Sequence, residues 1–589
     1  MLKSIIATFA VIGAACAAQS SALAQTAAEA SGANALISYP SLFHSVEADH
    51  GMVVAQDRLA AEVGRDMLKR GGNVVDAAVA AGFALAVTHP QAGNLGGGGF
   101  MLIKLADRED VIAIDFREMA PAGASRDMFL DEAGNVDNLR ARFSHLSAGV
   151  PGTVMGLATA LEKYGTMSLK DVMKPSIRLA EKGFPATAAL ADSLAEYKER
   201  FERDPSSLRY FLKDDGSAYA RGEKIVQKDL ARTLKAIAAK GAAGFYEGPV
   251  ADLIVAEMRA NGGLITHEDL KNYRAVERKA VTGEFRGFEI VSMPPPSSGG
   301  VHLIEMLNVL EGYDLKALGH NSADYLGLLV EAMRRAYADR SEYLGDPDFY
   351  EVPIAALLDE AYAKKLRGEI SFRRASKSED VRPGLGPRDE SEETTHFSVM
   401  DAAGNAVAVT TTLNFTFGSS YSVDGAGFLL NNEMDDFSAK PGAPNGFGLI
   451  GDEANEIAPK KRPLSSMTPT IVMKDGKAIL ATGTPGGSTI INIVLQNILN
   501  ILEFGMSPMQ ANAMPKVHHQ WLPDRIITEP GVPVDAIHIM EERGFIFARD
   551  PDGALQQRAM GRTNTIMLQG GKLLGAPDPR EPDGGAGAF

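Results

Sequence analysis

Thiol chemistry is almost absent from this chain. Of 589 residues one is cysteine, Cys16, and it lies in an N-terminal stretch expected to be removed. Disulfides, thiolate catalysis and Cys-ligated zinc are therefore excluded from the mature protein. There is no H-E-x-x-H, no G-x-S-x-G and no internal repeat. His518-His519 has no third histidine or carboxylate at ligand spacing, which reads as a hydrogen-bonded structural pair. No basic block interrupts a formal net charge of −16, which argues against nucleic acid or an anionic membrane as partner. Nor is there a membrane-length apolar run. Ile5 to Ala18, behind Lys3 and followed by Ala22-Leu23-Ala24 before Gln25, is too short to span and reads as a bacterial-type signal peptide over residues 1–24. The expectation is a periplasmic or secreted protein. A lipid anchor on Cys16 is the rival, and Gly13 stands where a lipobox has leucine.

What the chain does have is a threonine-rich stretch, Thr394 to Gly418 (TTHFSVMDAAGNAVAVTTTLNFTFG). His396 to Met400 and Ala406 to Thr412 are rich in Val and Thr, and Asp401 to Asn405 supplies the Gly and Asn of a tight loop, so the stretch predicts a β-hairpin. The loop length sets the register, with Thr394 opposite Thr412 and His396 opposite Thr410. Just upstream, residues 373–393 (RRASKSEDVRPGLGPRDESEE) are charged, broken by Pro and Gly, and without apolar periodicity, which predicts a solvated, flexible segment that cannot be core. A cleavage site at the Glu393–Thr394 bond would need such a segment. Cutting there would make Thr394 an N-terminus with its own base, because an α-amine has a pKa of ~7.7–8.0. On spacing alone, an ordinary Thr-rich hairpin after a linker is the favoured reading.

Elsewhere the pattern predicts an amphipathic helix over Gln56 to Lys69, stopped at Gly71-Gly72, and a buried helix from Asn73 to about Val87. Gly96 to Gly99 precede a strand and lack a following Lys-Ser/Thr, so they read as a close-packed turn and not a phosphate loop. Arg117 stands just past a strand over Val111 to Asp115, where a surface position would be unremarkable. A long amphipathic helix is expected over Asn321 to Arg340. In LLNNEMDDF the acids Glu433, Asp435 and Asp436 gather in what could be a solvated turn, although its flanks are apolar. Pro441 to Asp452 reads as a flexible surface loop. Ser465 and Ser466 read as loop serines, and Thr470 to Thr482 as a hairpin turning at Asp475-Gly476. Gly486-Gly487 precede a buried helix over Thr489 to Leu502, whose free N–H groups could hold an anion.

The order FREMAP, SAGVPG, TTH…TTTLN…FG, NNEMDDF, RPLSSM and TPGG closely resembles the γ-glutamyltranspeptidases, N-terminal-nucleophile enzymes that cut themselves before the matching threonine. The resemblance implies an α+β fold, a four-layer αββα sandwich of two stacked antiparallel sheets flanked by helices. It implies a large chain (25–393) and a small catalytic chain (394–589) forming one interleaved unit. Thr394 would be the nucleophile and Thr412 its orienting partner, with Gly486 and Gly487 as the oxyanion hole. Arg117, Ser465 and Ser466 would hold the donor's α-carboxylate, and Asn414, Glu433 and Asp436 its α-ammonium. Relatives often have Gln at the position of Glu433, and often Tyr where Phe447 stands in the lid, so closure here would rest on packing. The implied partners are glutathione or other γ-glutamyl donors and amino-acid or dipeptide acceptors, with no cofactor or metal. A cephalosporin or glutaryl acylase is the related alternative, disfavoured by Arg117 with Asp436. An uncleaved, inactive binding protein is the alternative of another class.

Overall fold

Several strands are apolar at consecutive positions: Met52 to Ala55, Phe100 to Ile103 and Val399-Met400 are all fully buried. An antiparallel sheet with one face in water would alternate, so such runs require both faces to be covered. The computed structural model describes residues 43–381, 394–440 and 442–589, and in it both faces are covered. One seven-stranded sheet has the order Gly585–Ala588, Gly51–Ala55, Thr395–Asp401, Ala406–Thr412, Gly98–Lys104, Val111–Phe116, Val276–Lys279. A second has the order Val46–Ala48, Lys572–Ala576, Thr565–Gln569, Lys477–Thr482, Thr470–Lys474, Phe288–Ser292, Val281–Phe285. Every pairing in both is antiparallel.

Alternate residues of the first sheet enter different cores. Val53, Met101, Ile103, Val399 and Val407 pack with the helices Arg58–Lys69, Val74–Thr88 and Thr153–Tyr164. Met52, Val54, Phe100, Leu102 and Met400 face the second sheet, whose Ile471, Ala481 and Ile566 share a core with the helices Gly299–Leu310, Ala323–Tyr343 and Ile490–Leu502. This is the αββα sandwich that the resemblance implied. Among the described residues no helix is long and apolar enough to cross a membrane.

Local signals are met closely. Asp57 caps the helix that begins at Arg58, Gly71 follows it at φ 87°, and Asn73 with Asp76 forms a capping box on a helix whose fifteen residues are all buried. The helix Ala323–Tyr343 is not amphipathic in its setting. Arg334, Arg335, Asp339 and Arg340 are buried with the rest, because Arg334 meets Asp524 and Ser378, Arg335 meets Glu331 at 2.6 Å, and Asp339 accepts from Tyr362 at 2.7 Å.

The signal peptide, Cys16 and residues 382–393 of the charged segment lie outside the described residues. The start of that segment departs from expectation: Ser378 is fully buried. Its N–H donates to Asp524 Oδ2 at 2.7 Å and its carbonyl accepts from Trp521 Nε1 at 2.9 Å, a docking that only a distant tryptophan makes possible.

Candidate active site

The hairpin forms as the loop length requires. Thr395 to Met400 pair with Thr411 to Ala406, His396 opposite Thr410. Thr394, one residue before the strand and 4% exposed, has its Oγ1 3.5 Å from Thr412 Oγ1, which also accepts from the Asn414 N–H at 2.8 Å. The glycine run at 96–99 makes this end compact: a Cβ on Gly97 would lie 1.9 Å from Thr412 O, and one on Gly99 2.3 Å from Thr410 O. His396 is no base for Thr394. Its Nε2–H donates to Ser398 Oγ at 3.0 Å, since that hydroxyl donates onward to Asn564 O, and its Nδ1 accepts from Thr410 Oγ1 at 2.8 Å. Burial pushes its pKa down to about 3, so it is neutral at physiological pH.

Thr394 and Thr412 line a pocket with Gly487, Asn414, Glu433 and Arg117. Gly487 opens the turn before the helix Ile490–Leu502 at φ 52°, and Gly486 stands one residue back at φ 136°. Neither N–H has an acceptor among the described residues. Tyr337 OH donates to Ser488 O and fixes the turn to the long helix. Paired N–H groups free of a side chain can stabilise an oxyanion.

The pocket's other end is charged. Arg117 is 1% exposed and not a surface residue. It binds Glu433 through NH1 and Asp436 through NH2, and donates to Pro463 O and Leu464 O at 3.2 and 3.3 Å. Glu118 lies 3.6 Å from its NH1. The acid turn is buried too, so neither it nor the serines, 2% and 7% exposed, form the solvated loops their composition suggested. Burial opposes the charge on Arg117, but Glu433, Asp436 and Glu118 together hold its pKa above the usual arginine range. Three carboxyl groups around one guanidinium cannot all ionise without penalty. Burial raises Glu433 and Asp436 and pushes Glu118 up to about 7. Asn414 Oδ1 and Glu433 Oε2 are buried acceptors with no partner among the described residues.

The γ-glutamyltranspeptidase family model matches residues 60–588. The chain belongs to that family. It is 51% identical over 543 residues to the glutathione hydrolase proenzyme of Escherichia coli (strain K12), covering 92% of each chain. Among solved structures it resembles the Helicobacter pylori γ-glutamyltranspeptidase, at 50% identity and TM-score 0.55 over 56% of this chain and 94% of that one. It also resembles a cephalosporin acylase from Bacillus halodurans, at 27% identity and TM-score 0.82 over 93% and 97%.

In this member of the γ-glutamyltranspeptidase family the Pro/Gly-rich loop is packed, not a free surface turn; Pro441 lies outside the described residues. Phe447 is 4% exposed, stands edge-on to Phe415 at 5.4 Å, and reaches Gly487 so closely that a Cβ there would lie 2.6 Å from its ring. Hydrogen bonds hold the loop as well. Gly446 N–H donates to Asp435 at 2.8 Å, Asn445 to Asp436 at 3.2 Å, and Gln520 to Phe447 O at 3.2 Å.

The pocket also contains Arg340, Leu449, Met467 and Ile490, which motif reading missed. Arg340 gave no signal, because it stands between Asp339 and Ser341 in a helix that reads as amphipathic. Glu118 gave none beyond adjacency to Arg117. His518 and His519 are a hydrogen-bonded pair: His518 Nδ1 accepts from Asn492 at 2.7 Å, and His519 lies 3.1 Å from Asp524, a carboxylate five residues on that the spacing argument overlooked.

Proposed function

We propose that the chain is cut before Thr394 and that the exposed threonine transfers the γ-glutamyl group of glutathione and related compounds to water, amino acids or dipeptides. The observation that carries the reading is the Thr394 hydroxyl beside Thr412, in a pocket with charges of both signs at its far end. The 51% identity to a glutathione hydrolase proenzyme supports it.

In the uncut chain the nitrogen of Thr394 is an amide and no base. Cleavage makes it an amine that is partly unprotonated near neutral pH. The hydroxyl oxygen adds to the γ-carbonyl carbon and its proton passes to that amine, while Thr412 orients it. The N–H groups of Gly486 and Gly487 receive the oxyanion, one such donor contributing ~10²–10³ in rate. The C–N bond then breaks, the ammonium gives its proton to the leaving nitrogen, and cysteinylglycine departs. Water or an acceptor amine opens the threonyl ester. Arg117, Ser465 and Ser466 take the donor's α-carboxylate, and Asn414, Glu433 and Asp436 its α-ammonium. The scheme uses no metal or cofactor. It includes export through residues 1–24 to the periplasm or medium, and chains 25–393 and 394–589 held as one unit.

Intact-mass analysis with a γ-glutamyl anilide assay tests this. Two chains, the smaller starting at Thr394, and release of the aniline are expected. One chain of full mature mass that leaves the anilide intact would overturn the reading. A two-chain protein that prefers a glutaryl anilide, which lacks the α-ammonium, would be an acylase.

A further inference from the structure

The loop 442–452 is tied to Asp435 and Asp436, its neighbours in sequence, and to one residue far along the chain. Gln520, buried, donates from Nε2 to the carbonyl of Phe447 at 3.2 Å. A carbonyl can only accept, so the amide presents its nitrogen to Phe447 and its oxygen to His518, whose Nε2 lies 2.9 Å away. Nε2 of His518 then carries the proton, and Nδ1 is left to accept from Asn492 Nδ2 at 2.7 Å; the same Nδ2 also donates to His519 O at 2.9 Å. Burial pushes the pKa of His518 down to about 4, which keeps the ring neutral and the polarity of the chain fixed. Asn492 stands in the first turn of the helix Ile490–Leu502, just past Gly486-Gly487. Donation thus runs in one direction, from Asn492 through His518 and Gln520 to Phe447, and joins the loop to the helix behind Gly487. The residue after Gln520 is anchored from the other side. Trp521, the only tryptophan in the chain, donates from Nε1 to Ser378 O at 2.9 Å and Val381 O at 2.8 Å. It takes φ 68°, a conformation that a bulky residue keeps only where its surroundings hold it.

We propose that Gln520 is a positioning residue of this site, holding the carbonyl of Phe447 so that its ring stays over Gly487. The effect on turnover rests on the functional reading above; the hold on the loop does not. Gln520 touches no reacting atom and acts only through Phe447. With its donor lost, the ring would leave Gly487 more often, and an acceptor would reach the threonyl ester more readily.

Gln520→Met keeps the length of the side chain and removes the donor. In the purified protein, hydrogen exchange over residues 442–452, read by mass spectrometry, should quicken about two- to tenfold, the effect of one lost neutral hydrogen bond. The fluorescence of Trp521 should stay as in the wild type, because its own anchors to Ser378 and Val381 remain. The ratio of transfer to hydrolysis with glycylglycine should move in the same direction as in Phe447→Ala. Adding Gln520→Met to Phe447→Ala should move it no further, a non-additivity that a general loss of stability would not produce. Should Gln520→Met fail to fold, Gln520→Glu serves, because it still accepts from His518 and cannot donate to Phe447. Exchange over 442–452 unchanged in the Gln520 variant, or a ratio that shifts additively in the double variant, overturns the proposal. A wild type inert toward a γ-glutamyl anilide overturns the functional reading instead, and the exchange measurement, which needs no turnover, then decides for or against Gln520 by itself.

Discussion

The two ends of the pocket are made of opposite materials. At the Thr394 end the nearby groups are hydroxyls, glycine N–H groups and the ring of Phe447, and even His396 is held uncharged. At the other end Arg117 and Arg340 lie with Glu433 and Asp436, and Glu118 stands behind Arg117. On the proposed function the contrast would separate chemistry from recognition. A nucleophile with no charged neighbour needs a base brought by the chain itself, and the cut before Thr394 would supply one. On the proposed function the charged end would address a ligand carrying both signs, and its cost in buried charge is offset by mutual pairing.

Removing the hydroxyl breaks the neutral end outright. Thr394→Ala is expected to remain a single chain in intact-mass analysis and to lose turnover entirely, whereas Thr394→Ser should still be cut. Breaking the charged end should leave cleavage intact. Asp436→Ala and Arg117→Ala should each run as two chains on a denaturing gel yet lose about ten- to over a hundredfold in kcat/KM on glutathione, the effect of one missing charge-assisted hydrogen bond or more. Two-chain variants with wild-type kinetics would place the donor's α-end elsewhere.

Smaller effects sharpen the contrast. Phe447→Ala opens the neutral end to water and should speed acceptor exchange about two- to fivefold, read as the ratio of transfer to hydrolysis with and without glycylglycine. Phe447→Tyr should slow it by a similar factor. Equal ratios in both would show that the loop does not gate the site.

The smallest effect concerns His396. Below its ordinary pKa of ~6.5 the unfolded chain takes up a proton that the folded chain refuses down to about 3. This contribution is therefore complete above pH 6.5 and is lost on acidification, at up to about 1.4 kcal/mol per pH unit. His396→Gln should lose melting temperature less steeply than the wild type between pH 6.5 and 4. Parallel curves would mean that His396 is protonated in the fold.

The hairpin was legible because its information is local: a loop of fixed length dictates which hydroxyl faces which, and the helix caps at Asp57 and Asn73 sit beside the turns they cap. The same holds for Asp475-Gly476, whose residues take φ 51° and 76° in the turn their sequence demands. What escaped reading depends on partners far along the chain. Arg117 meets Glu433 across 316 positions, Ser378 is buried by Trp521, and Arg340 finds Ser466 across 126. A polar residue reads as solvated until its partner is known, so the charged half of the site had to come from family motifs or from the structure. Motif order supplied Arg117 and Asp436 but not Arg340, which lies in a helix without a motif.

The interleaving of strands has a consequence of another kind. The strand Gly51–Ala55 lies between Thr395–Asp401 and Gly585–Ala588, and Gly98–Lys104 lies against Ala406–Thr412, so segments from either side of residue 394 are laced edge to edge. Cut at that point, the molecule would become a pair with no ordinary dissociation constant, since neither piece retains a complete sheet alone. Dilution would not part the halves, and separation would coincide with global unfolding. Reassembly after denaturation would then be second order in protein, so a polypeptide that folded once as a monomer would have to find its other half by collision. Its durability after cutting would be set by how slowly it opens, and not by how readily it re-forms.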